Sequence, residues 1–115
     1  MAITPLIAVD EGTTPKISIA LTDETGTLIP DASINEVKVR IDDYNTEVEI
    51  RAWATASPSD SIVTVWFTEA ETAILDGTQV MELKEVTVRA QYATSKYATS
   101  ARHVQIDNLK FYDVT

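Results

Sequence analysis

Three stretches of this chain alternate apolar and polar residues with period two, and no stretch repeats apolar residues at helical spacing over more than a turn or two. Val37, Val39 and Ile41 alternate with Lys38, Arg40 and Asp42. Ile17, Ile19 and Leu21 alternate with Lys16, Ser18 and Ala20, and Val48, Ile50 and Ala52 with Glu47, Glu49 and Arg51. That period is the mark of a strand with one buried face. Residue choice agrees: 11 Val, 11 Ile and 16 Thr stand against 6 Leu. Side chains branched at Cβ are stiff at χ1 and suit a pleated surface better than a helix. This usage argues against a helical bundle.

With 115 residues the chain is one domain's length, residues 1–115, enough for a single core. Turn signals divide it at Asp10-Glu11-Gly12, Asp23-Glu24-Thr25-Gly26, Pro30-Asp31, Asp43-Tyr44-Asn45-Thr46 and Ser57-Pro58-Ser59-Asp60. Pro5 denies residues 3–9 one ladder donor and places that segment at a sheet edge. Ile62-Val63-Thr64-Val65-Trp66-Phe67 is apolar on both sides, as for a central strand covered on both faces. Thr68-Glu69-Ala70-Glu71 is a capping box, and it predicts a short helical turn over about 69–75 ending near Gly77. The last two strands carry Val86, Val88, Ala90 and Tyr92, then Val104 and Ile106, around a loop over 93–101. Seven short strands predict an immunoglobulin-like antiparallel β-sandwich, with the helical turn where the chain crosses between sheets; a small barrel or jelly roll is the alternative.

The charge is −9, from 18 acidic and 9 basic residues. Such a field repels phosphate backbones and anionic lipid, so neither nucleic acid nor membrane is an expected partner. Cysteine is absent, which removes disulfides, thiolate metal sites and thiol nucleophiles. Residues 1–9 lack the basic start and unbroken apolar stretch of a secretion signal, so synthesis in a cytoplasm is expected. His103, the only histidine, falls on the outward face beside Arg102 and Gln105, with no nucleophile at hand. No catalytic residue, cofactor-binding residue or metal ligand is assigned and no cofactor is expected. Asp42-Asp43-Tyr44-Asn45 is the best local cluster for Ca²⁺, but its spacing matches no calcium loop. Trp53 and Trp66 are expected in the core; exposed, either becomes an anchor for a partner or a platform for sugar.

Apolar residues persist to both ends. Residues 1–9 and 108–115 are therefore read as partner-contacting segments, with Ile3, Leu6, Ile7, Leu109, Phe111 and Tyr112 joining Trp53 and Trp66 as contact candidates. Several stretches resemble small immunoglobulin-like structural proteins of tailed bacteriophages. They are Ile3-Thr-Pro-Leu with Asp10-Glu-Gly-Thr-Thr, Val48-Glu-Ile-Arg51-Ala with Ser57-Pro-Ser, Val63-Thr-Val-Trp-Phe-Thr68 running on to Asp76, Glu85-Val-Thr-Val-Arg-Ala-Gln-Tyr92, and Asp107-Asn-Leu109. The resemblance implies a non-enzymatic virion component: a capsid decoration or cement protein, or a neck or tail subunit. Its partners would be other virion proteins or copies of itself in a symmetric assembly, and its location the virion. The alternative is a carbohydrate-binding or adhesive module on the same sandwich.

Overall fold

The computed structural model describes residues 5–109, and the strands follow the alternation closely. In chain order they are β1 (Ile7–Asp10), β2 (Lys16–Ala20), β3 (Ile34–Asp43), β4 (Glu49–Ala56), β5 (Ile62–Trp66), β6 (Met81–Tyr92) and β7 (Lys96–Asp107). Five of them form one sheet in the order β1-β7-β6-β3-β4, and β2 and β5 form a second. Neighbours run antiparallel except β1, which lies parallel to β7, Ile7 opposite Val104 and Val9 opposite Ile106. This is the order of an immunoglobulin-like sandwich, in which the chain changes sheets between β1 and β2, β2 and β3, β4 and β5, and β5 and β6. The predicted edge position of the first strand is what the structure has, since among the described residues β1 has β7 as its one neighbour.

The core lies between the sheets. Ile17, Ile19, Leu21, Val63, Val65 and Phe67 come from the small sheet and its continuations, and Val37, Val39, Ile41, Val86, Val88, Ala90, Val104 and Ile106 from the large one. Each Val, Ile or Leu buried this way contributes about 1.5–3 kcal/mol. Residues of one strand that share a parity share a face, so a single register error would turn the whole set to water.

Four expectations are corrected. The 69–75 segment is not helical: the one helical turn among the described residues is a 3₁₀ turn at Asp31–Ser33. The capping box does form, Thr68 N–H donating to Glu71 and Glu71 N–H to the Thr68 hydroxyl. The amides of Leu75 and Asp76, which a helix would direct to carbonyls four residues back, donate instead to the Glu82 carboxylate at 2.8 and 2.9 Å. β5 is not covered on both faces, because nothing described lies over the outer side of a two-stranded sheet: Trp66 is 59% exposed. The residues 93–101 are mostly strand, with a tight turn at Ala93, Thr94 and Ser95 and then β7. Finally, β4 does not keep strict alternation, and Val48 and Ala52 are exposed. Register shifts fall on either side of Ile41, so that Val39 opposes Ala54 while Ile41 opposes Arg51. Two residues of β3 are thus matched to three of β4, the signature of a bulge. The bulge turns Arg51 toward the face that Ile41 buries.

Replacing Ile41, which has no exposed surface, by Ala is expected to lower unfolding free energy by about 2–5 kcal/mol. Val48→Ala, on the exposed turn before β4, should change it by about 0.5 kcal/mol or less. Urea denaturation of the two variants side by side measures the contrast.

Candidate functional site

Two regions stand out from the sandwich: a buried ionic cluster at one end of the core and a set of large apolar side chains left in water.

The cluster follows from the parity of β6. Counting back from Val88 and Val86 on the buried face reaches Lys84 and Glu82, so both ionic side chains point into the core. Lys84 is 0% exposed, Glu82 4% and Asp43, on the neighbouring strand, 2%. Asp43 lies directly opposite Lys84 in the ladder. Lys84 Nζ donates to Asp43 Oδ1 at 3.2 Å and to Glu82 Oε1 at 3.0 Å. Two carboxylates against one ammonium leave an excess negative charge, and neutral donors compensate for it. Thr46 gives its N–H and hydroxyl to Asp43 Oδ2 at 2.9 and 2.7 Å, and the Leu75 and Asp76 amides serve Glu82. Each carboxylate thus receives three hydrogen bonds, which is what keeps a buried charge tolerable. Burial pushes the Asp43 carboxyl upward. The Thr46 hydroxyl and amide, with the Lys84 ammonium, outweigh it and hold the group below its ordinary value.

This cluster pins the long β5–β6 connection, which has no regular structure of its own. Other side chains join it there. The Arg51 guanidinium grips Glu71 through two nitrogens, Nε to Oε2 at 2.6 Å, and donates to the Trp66 carbonyl at 2.8 Å. Burial works to raise Glu71, while Arg51 and the Thr68 donors hold it below its ordinary value. The fully buried Thr72 donates to the Thr13 carbonyl at 2.8 Å, and the buried Asn108 amide to the carbonyls of Gln79 and Gly77. Long loops without secondary structure are uncommon unless they have work or are tied down. This one is tied at both ends.

On the outer face of the large sheet, register sets Glu49, Asp42, Glu85 and His103 in one row across four strands. The Arg40 Nε–H is shared between the two Asp42 oxygens, Arg40 Nη2 lies 3.5 Å from Glu49, and His103 Nε2 lies 3.1 Å from Glu85. His103 faces outward as expected, but the Tyr44 ring stands edge-on against it at 4.8 Å and half-covers it. An open cleft of about 390 Å³ runs beside the row, lined by Arg40, Asp42, Tyr44, Glu47 and Glu85. Every carboxylate of the row has a cationic or imidazole partner. Asp42 and Asp43 point to opposite sides of β3, as successive strand residues must, so the Asp42–Asn45 segment does not converge on an ion. Among the described residues no group of three or more His, Asp or Glu could hold a metal.

The contact candidates separate. Ile3, Phe111 and Tyr112 lie outside the described residues. Ile7 is half-buried and packs against the core. Leu6 and Leu109 are 47% and 40% exposed, at opposite ends of β1: Leu6 N–H bonds the His103 carbonyl, Leu109 N–H the Glu11 carboxylate. Both tryptophans are exposed, against the expectation of core: Trp66 because it faces away from the small sheet's partner, Trp53 because it falls within the β4 bulge, 43% exposed. Lys16 covers one side of the Trp66 ring at 5.4 Å from its centroid. Arg51 lies two residues before Trp53 on β4 and bonds the Trp66 carbonyl at the end of β5. Leu28, Leu75, Val80 and Tyr97 are further exposed apolar residues that sequence reasoning did not single out. Comparison with protein-family models, with curated proteins and with solved structures finds no significant match to this chain.

Lys84→Ala, which strands two buried carboxylates, should cost about 3–5 kcal/mol of stability in urea denaturation. Acid should also destabilise the fold. Glu71 sits below its ordinary value of 4.5, so the unfolded chain takes up its proton first. Its contribution is complete above that value and is lost as pH falls below it. A denaturation midpoint that stays flat as pH falls from neutrality and drops only below about 4.5, with a shallower drop in Glu71→Gln, is the expected result.

Proposed function

We propose that this chain is a non-enzymatic structural subunit of a tailed-phage virion, binding neighbouring virion proteins as a capsid decoration or cement protein or as a neck or tail subunit. The observation that carries the reading is the apolar surface left in water. Trp66, Tyr97, Leu75, Val80 and Leu28 are each more than half exposed, and Trp53 nearly so. Scattered exposed apolar residues are ordinary, but tryptophan and tyrosine on an open sheet face are the residue types that anchor interfaces. Open edges add to it: among the described residues β2, β4 and β5 each have a single ladder neighbour, leaving backbone groups for strand addition. The sequence resemblance supplies the phage setting. An acidic surface would keep the free subunit apart from packaged nucleic acid.

Sedimentation of the purified chain, alone and with tailed-phage capsids and tails, tests this. Symmetric oligomers or co-sedimentation are expected; a strict monomer that binds neither particle contradicts the reading. Trp53→Ala with Trp66→Ala should weaken the association at least about tenfold, as loss of an interface anchor does. The same pair should alter unfolding free energy by only about 1 kcal/mol. A second reading, a sugar-binding module, rests on the same exposed indoles. Quenching of tryptophan fluorescence by polysaccharide, without binding to virion proteins, is the result that would favour it.

A further inference from the structure

The exposed surfaces bear on assembly, but the buried cluster carries a different inference, independent of what the chain assembles with. Lys84 Nζ is a primary amine held 3.2 Å from one oxygen of Asp43, in a ladder where the two residues are directly opposed. A second carboxylate, Glu82, touches the same nitrogen at 3.0 Å. We propose that Lys84 and Asp43 condense to an amide that covalently joins β3 to β6, with Glu82 carrying the proton.

Each component of such a reaction is in place. The nucleophile and the carboxyl group are fixed by two adjacent strands, which removes the entropy of bringing them together. The Asp43 Oδ2 atom receives both the Thr46 N–H and the Thr46 hydroxyl, at 2.9 and 2.7 Å. These are the donors required where negative charge grows as the carbonyl carbon becomes tetrahedral. Exposures of 0%, 2% and 4% for Lys84, Asp43 and Glu82 keep bulk water from reversing the bond. The driving force is electrostatic: an ammonium and a carboxylate that are costly to keep in a dry core become one neutral amide.

The atoms balance without a co-reactant. The Lys84 ammonium passes one proton to Glu82 Oε1, and the free amine attacks Asp43 Cγ to form the Nζ–Cγ bond. The Cγ–Oδ1 bond then breaks. Oδ1 leaves as water, taking one further proton from Nζ and the one held by Glu82. Lys84 retains one N–H, Asp43 retains Oδ2 as the amide oxygen, and Glu82 ends as the carboxylate it began. Asp43 rather than Glu82 is the electrophile because the Glu82 oxygens hold the Leu75 and Asp76 amides and would lose one of them on acylation. Glu82 is also two residues from Lys84 on the same strand, so a bond to it would join no two strands.

Intact mass of the full chain under denaturing conditions, followed by peptide mapping, tests the proposal. The expected result is a mass one water below that of the sequence, resistance to trypsin after Lys84, and a branched peptide joining Asp43 to Lys84. Glu82→Gln should accumulate the uncrosslinked mass, and Asp43→Ala should show that mass only. The wild-type measurement stands even if a variant fails to fold. Full sequence mass in the folded wild type after prolonged incubation overturns the proposal. So does a water loss confined to one linear peptide, as a succinimide would give, or a crosslink that maps to Glu82.

Discussion

A lysine with no exposed surface has to be neutralised where it stands, and in this sandwich that requirement organises one whole end of the molecule. Lys84 lies among Val86, Val88 and the rest of the core face of β6, where an unpaired ammonium would be costly. Asp43 answers it from β3 and Glu82 from β6 itself. Each carboxylate then draws in neutral donors: Asp43 the Thr46 turn that starts the return to β4, and Glu82 two amides of the connection from β5. One buried cation therefore fixes two loops that carry no regular structure.

The rest of the fold divides the work differently. Between the sheets, burial of Val and Ile is non-directional and sets how strongly the layers hold. At the margins, direction comes from side chains that span the sheets: Arg51 to Glu71 and the Trp66 carbonyl, and Asp31, whose carboxylate takes the Asp60 and Ser61 amides at 2.9 and 2.8 Å. Asp60 and Ser61 both have positive φ, 51° and 65°, a conformation that side-chain-bearing residues adopt only when held. The Asp31 carboxylate is what holds them.

Alternation made β2, β3 and the upper part of β6 legible in the sequence, because there one face is buried throughout and the other is wet. It failed on β4 because a bulge is invisible to a period-two count; Arg51 read as outward and in fact bridges the sheets. It failed again on β5, where an apolar run suggested two covered faces although the small sheet has only one. The capping box over Thr68–Glu71 was read correctly as chemistry and wrongly as a helix, since the amides that would have extended it are claimed by Glu82, a residue on the far side of the connection. The ionic cluster was missed although its signal was present. Extending the parity of Val88 and Val86 two steps back puts Lys84 and Glu82 inside, but a charged pair at a strand's start reads as solvated until its partner across the ladder is known.

If the buried charge at Glu82 organises the β5–β6 connection, the Leu75 and Asp76 amides should behave like amides of the core although they belong to no strand or helix. Residue-resolved hydrogen exchange measures this directly. The account predicts protection of both amides comparable to that of Val86 and Val88, collapsing to loop-like exchange in Glu82→Gln while the centres of β3 and β6 stay protected. Fast exchange at Leu75 and Asp76 in the wild type would contradict it.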